Sequence, residues 1–392
     1  MLPVRGLAAV LLFGLAACVA TPPAPTGSAA GLSTAGSAAP TTTGSTGPSV
    51  PPPSGPDASL APGWTLVWPS SGDPEAVIND VVATPDGFAA VGSDPNDTHS
   101  FALVSPDGSA WTPEAIPERQ FGPLRLIAWG HRLFAWAAGG LPCAHPYGLE
   151  TWVRSTNDSW AEAPFLESLC GGESVDAVIV DDHVALVGTG PGDNAVAWSS
   201  ADGLGWADHG AVFAGLLPQG ATTDGSLAVA AGEGSAGLWT SKTADGRTWT
   251  APAMIPGTQD GLVVRGAFWI DGQPSLVVSG DTTVGVVRPN GVGGWSIQAS
   301  VGLKPDVLGA IRSDGAGLVA LSGVDTATAA WVSSDGLVWR PVDLPEALRT
   351  TGAFVRALAV RDGRAVLTGS VVDRLGNPVS AIWIGPAALV QP

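Results

Sequence analysis

Ser105-Pro106-Asp107-Gly108-Ser109-Ala110-Trp111 returns, with small changes, as Ala201-Asp202-Gly203-Leu204-Gly205-Trp206, Ala244-Asp245-Gly246-Arg247-Thr248-Trp249 and Ser334-Asp335-Gly336-Leu337-Val338-Trp339. Two weaker copies, Thr156-Asn157-Asp158-Ser159-Trp160 and Asn290-Gly291-Val292-Gly293-Gly294-Trp295, fill the gaps between them. The closing tryptophans at 111, 160, 206, 249, 295 and 339 are spaced by 49, 46, 43, 46 and 44 residues, and Trp64 precedes the first by 47. So regular a period marks one supersecondary unit repeated along the chain, each copy burying its apolar face against the next.

A second turn recurs once per unit, ahead of the tryptophan: Pro85-Asp86-Gly87, Thr223-Asp224-Gly225, Ile270-Asp271-Gly272, Ser313-Asp314-Gly315 and Arg361-Asp362-Gly363, with Gly130-His131 and Asp181-Asp182 in the remaining two units. Asp-Gly between apolar runs is a strong hairpin signal, because Gly accepts positive φ and Asp bonds its own backbone. The runs between turns, such as Phe88–Gly92, Ala185–Gly188 and Leu318–Leu321, are short and β-rich. Each unit therefore reads as four strands, A to D. There are seven A–B turns but only six C–D turns. The last unit has strands A (Phe354 to Val360), B (Ala365 to Ser370) and C (Ser380 to Ile384) and lacks a D. Trp64–Trp68 at the other end supplies it. The expected fold is all-β, a seven-bladed β-propeller over residues 63–386, closed by an N-terminal strand that completes the last blade and so hides both sheet edges.

The C–D turn resembles the Asp-box (BNR) repeat of the sialidase-like propellers, Ser-x-Asp-x-Gly-x-x-Trp. The resemblance implies structural work for Asp107, Trp111, Asp158, Trp160, Asp202, Trp206, Asp245, Trp249, Asp335 and Trp339. The carboxylate accepts backbone N–H groups, Gly takes the left-handed position, and Trp covers the hairpin. Asn290-Gly291 has no Asp, so that turn is expected to be weaker.

The first 62 residues read differently. Met1–Arg5 is a short basic start, and Gly6–Leu15 is an apolar run too short to span a bilayer. Leu15-Ala16-Ala17-Cys18 resembles a bacterial lipobox. Residues 1–18 are then a lipoprotein signal peptide, with Cys18 the lipidated residue. Residues 19–62 are almost wholly Ala, Pro, Ser, Thr and Gly, and are expected to form a disordered tether. The protein is expected to be extracytoplasmic and lipid-anchored to the bacterial cell membrane.

Lys and Arg total 17 against 35 Asp and Glu, a net charge of −18. Arg5 and Asp57 are the only charges before position 60, so the whole imbalance falls on the propeller. That excludes nucleic-acid recognition, which needs clustered cations, and leaves the lipid as the only expected membrane contact. In an oxidising compartment Cys143 and Cys170 are expected to form a disulfide, since the B–C and D–A loops that hold them open on the same face. No His spacing suits a metal, no phosphate cradle opens a helix, and no cofactor is expected.

Chemistry is expected on the face opposite the turns. Six positions before each A–B turn, the sequence places Asp80, Arg125, Asp176, Pro218, Arg265, Leu308 and Arg356. Five of the seven are charged, in a chain whose charged fraction is 13%. Asp80, Arg125, Asp176, Arg265 and Arg356 are the candidate ligand-binding residues, Arg supplying paired contacts to a carboxylate. The alternative is a structural ring in which the Asp residues pair with neighbouring Arg. The expected function is a binding or scaffold module for a glycan, peptide or protein at the cell surface, acting as a monomer. The alternative reading is a carbohydrate-active enzyme, a sialidase-like exo-glycosidase. For it the resemblance offers only Tyr147 and Glu150 as a catalytic pair, and Leu124-Arg125-Leu126-Ile127 is a poor match to the family's arginine motif.

Overall fold

The computed structural model describes residues 63–390 except 69–76, 94–99, 118–124, 139–148, 164–175, 191–193, 259–260, 292–293, 306–307, 314–316, 323–327, 350–352 and 373–377. They form seven antiparallel four-stranded sheets. Strand A of blades 1 to 7 is Val77–Thr84, Arg125–Trp129, Asp176–Val180, Leu216–Thr223, Val263–Ile270, Leu308–Ser313 and Phe354–Arg361. These strands surround a central channel and strand D is outermost. The predicted seven-bladed propeller is what forms.

Closure is as the repeat count requires. Thr65–Trp68 pairs with Pro378–Pro386, the C strand of blade 7, through Thr65 opposite Ile384 and Leu66 opposite Trp383. Trp64 anchors that strand. It is 1% exposed, lies among Val319, Leu344, Leu348 and Trp383, and donates its indole N–H to the carbonyl of Asp343 at 3.0 Å. Gly385 lies beneath the ring, where a Cβ would come within 2.9 Å of the indole.

The core is not a single mass at the centre of the ring. Apolar side chains segregate into layers between adjacent blades. One layer joins blades 1 and 2 (Val91, Leu126, Trp152), another blades 2 and 3 (Phe134, Trp136, Leu186), and another blades 7 and 1 (Ile78, Val366, Ile382). Alternation in the B and C strands makes this possible, because side chains of both signs of the pleat meet a neighbouring sheet.

The A–B turns confirm the role of Asp. Asp271-Gly272, Asp362-Gly363 and Asp181-Asp182 each place both loop residues at positive φ. Ile270 faces Gln273, Arg361 faces Arg364 and Val180 faces His183 across these two-residue loops. This is the turn whose twist matches the strands, and Asp is among the few side chains that tolerate it.

The C–D turns carry a second function that the motif alone does not declare. Asp202 Oδ1 accepts the backbone N–H groups of Leu204 (2.8 Å) and Gly205 (2.7 Å), Ser200 Oγ accepts that of Gly203, and Trp206 donates to the Gly203 carbonyl. Asp107, Asp245 and Asp335 bond their turns likewise. The glycine also lies against the preceding blade. A Cβ on Gly203 would come within 2.2 Å of Val153, one on Gly336 within 2.8 Å of Val286, and one on Gly108 within 2.7 Å of Val366. An arginine of the preceding blade reaches three of these turns: Arg132 to Ala201, Arg364 to Asp107 and Arg288 to Asp335. The turn is a dock between blades as well as a cap on a hairpin.

Blade 2 corrects one assignment. Asp158 does not hold the carboxylate position: Asn157 does, accepting from Ser159 Oγ at 2.7 Å, while Asp158 takes the glycine position at φ 62°. One residue is missing between this turn and Trp160, so the frame shifts by one. Trp160 then donates not to its own turn but to Glu114 of blade 1 at 2.9 Å, and Arg154 grips the same carboxylate at 2.7 Å and Asp158 at 2.8 Å. A charged bridge replaces the glycine contact. In blade 5, Gly291 keeps a positive φ but nothing lies within 4 Å of where its Cβ would be, so that glycine makes no contact with the preceding blade.

Trp64→Ala should cost about 3–5 kcal/mol, as expected for a fully buried large side chain, and lower the urea midpoint of the whole ring in one transition. Turn hydrogen bonds hold the carboxyls of Asp202, Asp224 and Asp245 below their ordinary value. Those of Asp335 are helped by Arg288, and those of Asp107 take it from 3.8 to about 2. A folded-state pKa below the unfolded one means that the unfolded chain binds protons more readily, so this stabilisation is present above about pH 4 and lost as pH falls toward 2. Thermal melts across that interval should show the midpoint falling steeply, and less steeply in an Asp107→Asn, Asp245→Asn double variant.

Candidate functional site

The strands that line the central channel meet it with their backbone edges and with a few long side chains. The cavity holds about 980 Å³. Among its walls are Asp80, Arg125, Asp176, Gln219, Arg265 and Arg312. In a chain of net charge −18 these six residues carry three positive and two negative charges.

The carboxylates are occupied. Asp80 accepts the N–H of Val81 at one oxygen and that of Leu126, in the next blade, at the other, both at 3.0 Å. Asp176 does the same with Ala177 (3.0 Å) and Ala221 (2.9 Å). Each thus ties its own A strand to the A strand of the following blade. Glu233 plays a related part from the B strand of blade 4, accepting from Val264 at 3.1 Å, and Ser380 Oγ accepts from Ile78 to join blades 7 and 1. Burial pushes the Asp80 carboxyl up, against the pull of Arg125 and Arg312 and of its two backbone bonds. Raised pKa and buried position notwithstanding, Asp80 is poorly suited to acid catalysis, because both oxygens already serve the ring.

The arginines divide into two groups. Arg125 lies between the acids, 3.9 Å from an oxygen of Asp80 and 3.9 Å from one of Asp176, with its guanidinium 5.7 Å from the Trp136 ring centroid. Arg265 is exposed, lines the channel and donates from Nε to Ser279 Oγ at 2.7 Å. Arg356 is not a lining residue. It lies 4.5 Å from the Phe354 ring centroid, reaches Asn79 of blade 1 at 3.5 Å, and burial lowers its pKa.

The register of strand A also differs among the blades, although bulged Gln219 and Arg265 line the channel while bulged Arg356 does not. Strand A has an extra residue at Asn79, Gln219, Arg265, Gly309 and Arg356 in five blades, while blades 2 and 3 pair without interruption at Arg125 and Asp176. A bulge re-aims the side chain it carries. Counting back from the turns therefore aligns bulged positions with regular ones. It passes over Gln219 and Arg312, which line the channel, and includes Arg356, which does not.

Arg312 is the residue that the sequence reading missed. It sits two residues before the A–B turn of blade 6, and burial together with the Arg125 charge lowers its pKa to about 10 despite the nearby Asp80 and Asp176. Glu150, one half of the alternative catalytic pair, is buried within strand C of blade 2 opposite Ala137. Tyr147, Cys143, Cys170 and Cys18 lie outside the described residues.

The chain is similar in fold to virginiamycin B lyase from Staphylococcus aureus. A catalytically inactive variant with quinupristin aligns at TM-score 0.52 and 10% identity over 82% of this chain and 99% of that one, and the selenomethionine-substituted enzyme at 0.51 and 10% over 82% and 98%. A six-bladed fungal lectin, that of Aleuria aurantia, aligns at 0.41 and 13% over 81% and 96%. No family model matches the chain, and no curated protein matches it. At such identities the likeness is one of fold.

Asp80→Ala should leave the N–H groups of Val81 and Leu126 without acceptors and cost about 1–3 kcal/mol. Asp80→Asn, which keeps an acceptor, should lose less. Chemical denaturation of both variants checks the order, and equal losses would count against the inter-blade bond.

Proposed function

We propose that this protein is a binding module rather than a catalyst, a rigid ring held at the bacterial cell surface that engages a glycan, peptide or protein through the channel mouth. The observation that carries the reading is the cationic lining, Arg125, Arg265 and Arg312, inside a strongly acidic molecule. Field lines from such a lining focus at the mouth and draw in an anionic or hydroxyl-rich group. The acids that would be needed for glycoside chemistry are committed to backbone N–H groups, which favours binding over hydrolysis. The Asp-box turns fit the same reading, since their work lies in docking one blade to the next.

The N-terminal pattern supports the location. Lipid attached at Cys18, after removal of residues 1–17, would hold the ring on the membrane, two acyl chains giving stable attachment. The 44 residues of the tether give a root-mean-square reach of about 35–40 Å. The module acts as a monomer, touches the membrane through its lipid alone and has no part in nucleic-acid binding.

The test is a panel of defined acidic and neutral glycans and peptides presented to the full chain. Arg265→Ala should weaken capture of an acidic member at least tenfold while costing about 0.5–1.5 kcal/mol of stability through the lost bond to Ser279. Capture unchanged by the substitution would remove the channel from the function. Separately, Cys18→Ser should move the protein from the membrane fraction to the soluble fraction in a bacterial host.

A further inference from the structure

One arginine of the channel has no mate among the described residues. Arg312 makes no hydrogen bond and no ion pair within 4.0 Å among the described residues, and its Nε is buried without an acceptor. Two other arginines have an orphaned Nε, and each differs in a way that matters. Arg288 spends its terminal nitrogens on Asp335 and lies 3.7 Å from Asp271. Arg356 lies over Phe354 and reaches Asn79. Arg312 instead lines the same channel as a second cation, Arg125, together with two carboxylates that are bonded to backbone N–H groups. Those carboxylates cannot turn toward it without abandoning Leu126 and Ala221.

A half-buried cation with an unpartnered Nε, beside another cation and with the nearby acceptors engaged elsewhere, is costly unless a further negative charge completes the set. The size of that charge follows from the inventory. Arg125, Arg265 and Arg312 outnumber Asp80 and Asp176 by one. A single negative charge brings the cluster to neutrality; a doubly charged anion would overshoot it and meet repulsion from both acids. Five N–H donors in a planar fork suit the two oxygens of a carboxylate better than a sphere, though a halide can also be cradled.

We propose that the channel holds a site for one small monovalent anion, bound by Arg312 and Arg125 and closing the inner ring electrostatically across blades 1, 2, 3 and 6. The site shares Arg125 and Arg312 with the channel lining of the proposed function and so rests in part on that reading; capture of the cell-surface ligand is read separately, at Arg265. It could be filled by a free ion such as chloride or by a carboxylate carried on a larger molecule, and the two sources are separable.

The experiment uses the full chain in buffer of constant ionic strength, with a weakly coordinating sulfonate salt exchanged stepwise for sodium chloride, sodium acetate, sodium glucuronate or sodium sulfate. The thermal midpoint is followed in each, and methyl glucoside is the uncharged control. Acetate should raise the midpoint in a saturable manner, and sulfate and methyl glucoside should not. A rise with chloride equal to that with acetate assigns the site to free ions; a rise with acetate and glucuronate alone assigns it to carboxylates. Arg312→Gln should abolish the saturable rise and Arg312→Lys should weaken it at least tenfold in half-saturating concentration, whereas Arg288→Gln should leave it intact. Should Arg312→Gln fail to fold, the lysine variant and the ion series on the unaltered chain carry the test. Equal effects of all anions, or a saturable rise that persists in the folded Arg312→Gln variant, would overturn the proposal. Loss of the anion effect with Arg265-dependent capture intact would leave the binding-module reading standing.

Discussion

Everything in this molecule depends on neighbouring blades meeting across an apolar layer, seven times, with no remainder. A four-stranded sheet of some 45 residues cannot bury both of its faces alone, and in a ring each face is buried by the next sheet. A linear array would leave two terminal faces wet. Closure removes them, and the chain accomplishes it by lending blade 7 a strand from its beginning, anchored by Trp64. The same constraint explains the polar features of the inner and outer rims. Asp80, Asp176, Glu233 and Ser380 each send a bond across a blade boundary at or near the channel, and the C–D turns send a glycine and receive an arginine across it on the far side.

The site inherits its character from that scaffold. Because acids are used to sew adjacent A strands together, their charges are fixed in the wall, and the arginines among them are only partly neutralised. A channel built for closure becomes cationic as a by-product, in a molecule that is otherwise acidic. This is why the channel, and not the turn face with its many ion pairs, is where a ligand is best sought.

The repeat made the architecture legible. Seven A–B turns against six C–D turns led to the blade number and to the pairing of Trp64–Trp68 with Ser380–Ile384, because turn chemistry is local and written in Asp and Gly. What lies between blades was much less so. Nothing local in Gly203 announces Val153, and nothing in Asp80 announces the N–H of Leu126 some 46 positions away. The one-residue deletion before Trp160 moved Asn157 into the carboxylate position, a shift that pattern matching by the Asp alone cannot see. Counting grouped Arg356 with Arg125 and Arg265, but its contacts with Phe354 and Asn79, which no local pattern declares, keep it off the channel wall, and Arg312 was passed over because it stands four positions nearer its turn than the others.

The borrowed strand also sets the order of events during biosynthesis. Among the strands of the ring, residues 64–68 leave the ribosome first and their partner near Trp383 leaves last, so the opening strand must wait unpaired while more than 300 residues emerge. Throughout that wait blade 1 has no neighbour on one side and its Ile78 and Phe88 layer stays open to solvent. Contacts of such long sequence separation are slow to form. A chain that stops short of its final strand leaves not a smaller ring but an open arc, with the layer between blades 7 and 1 uncovered at both ends.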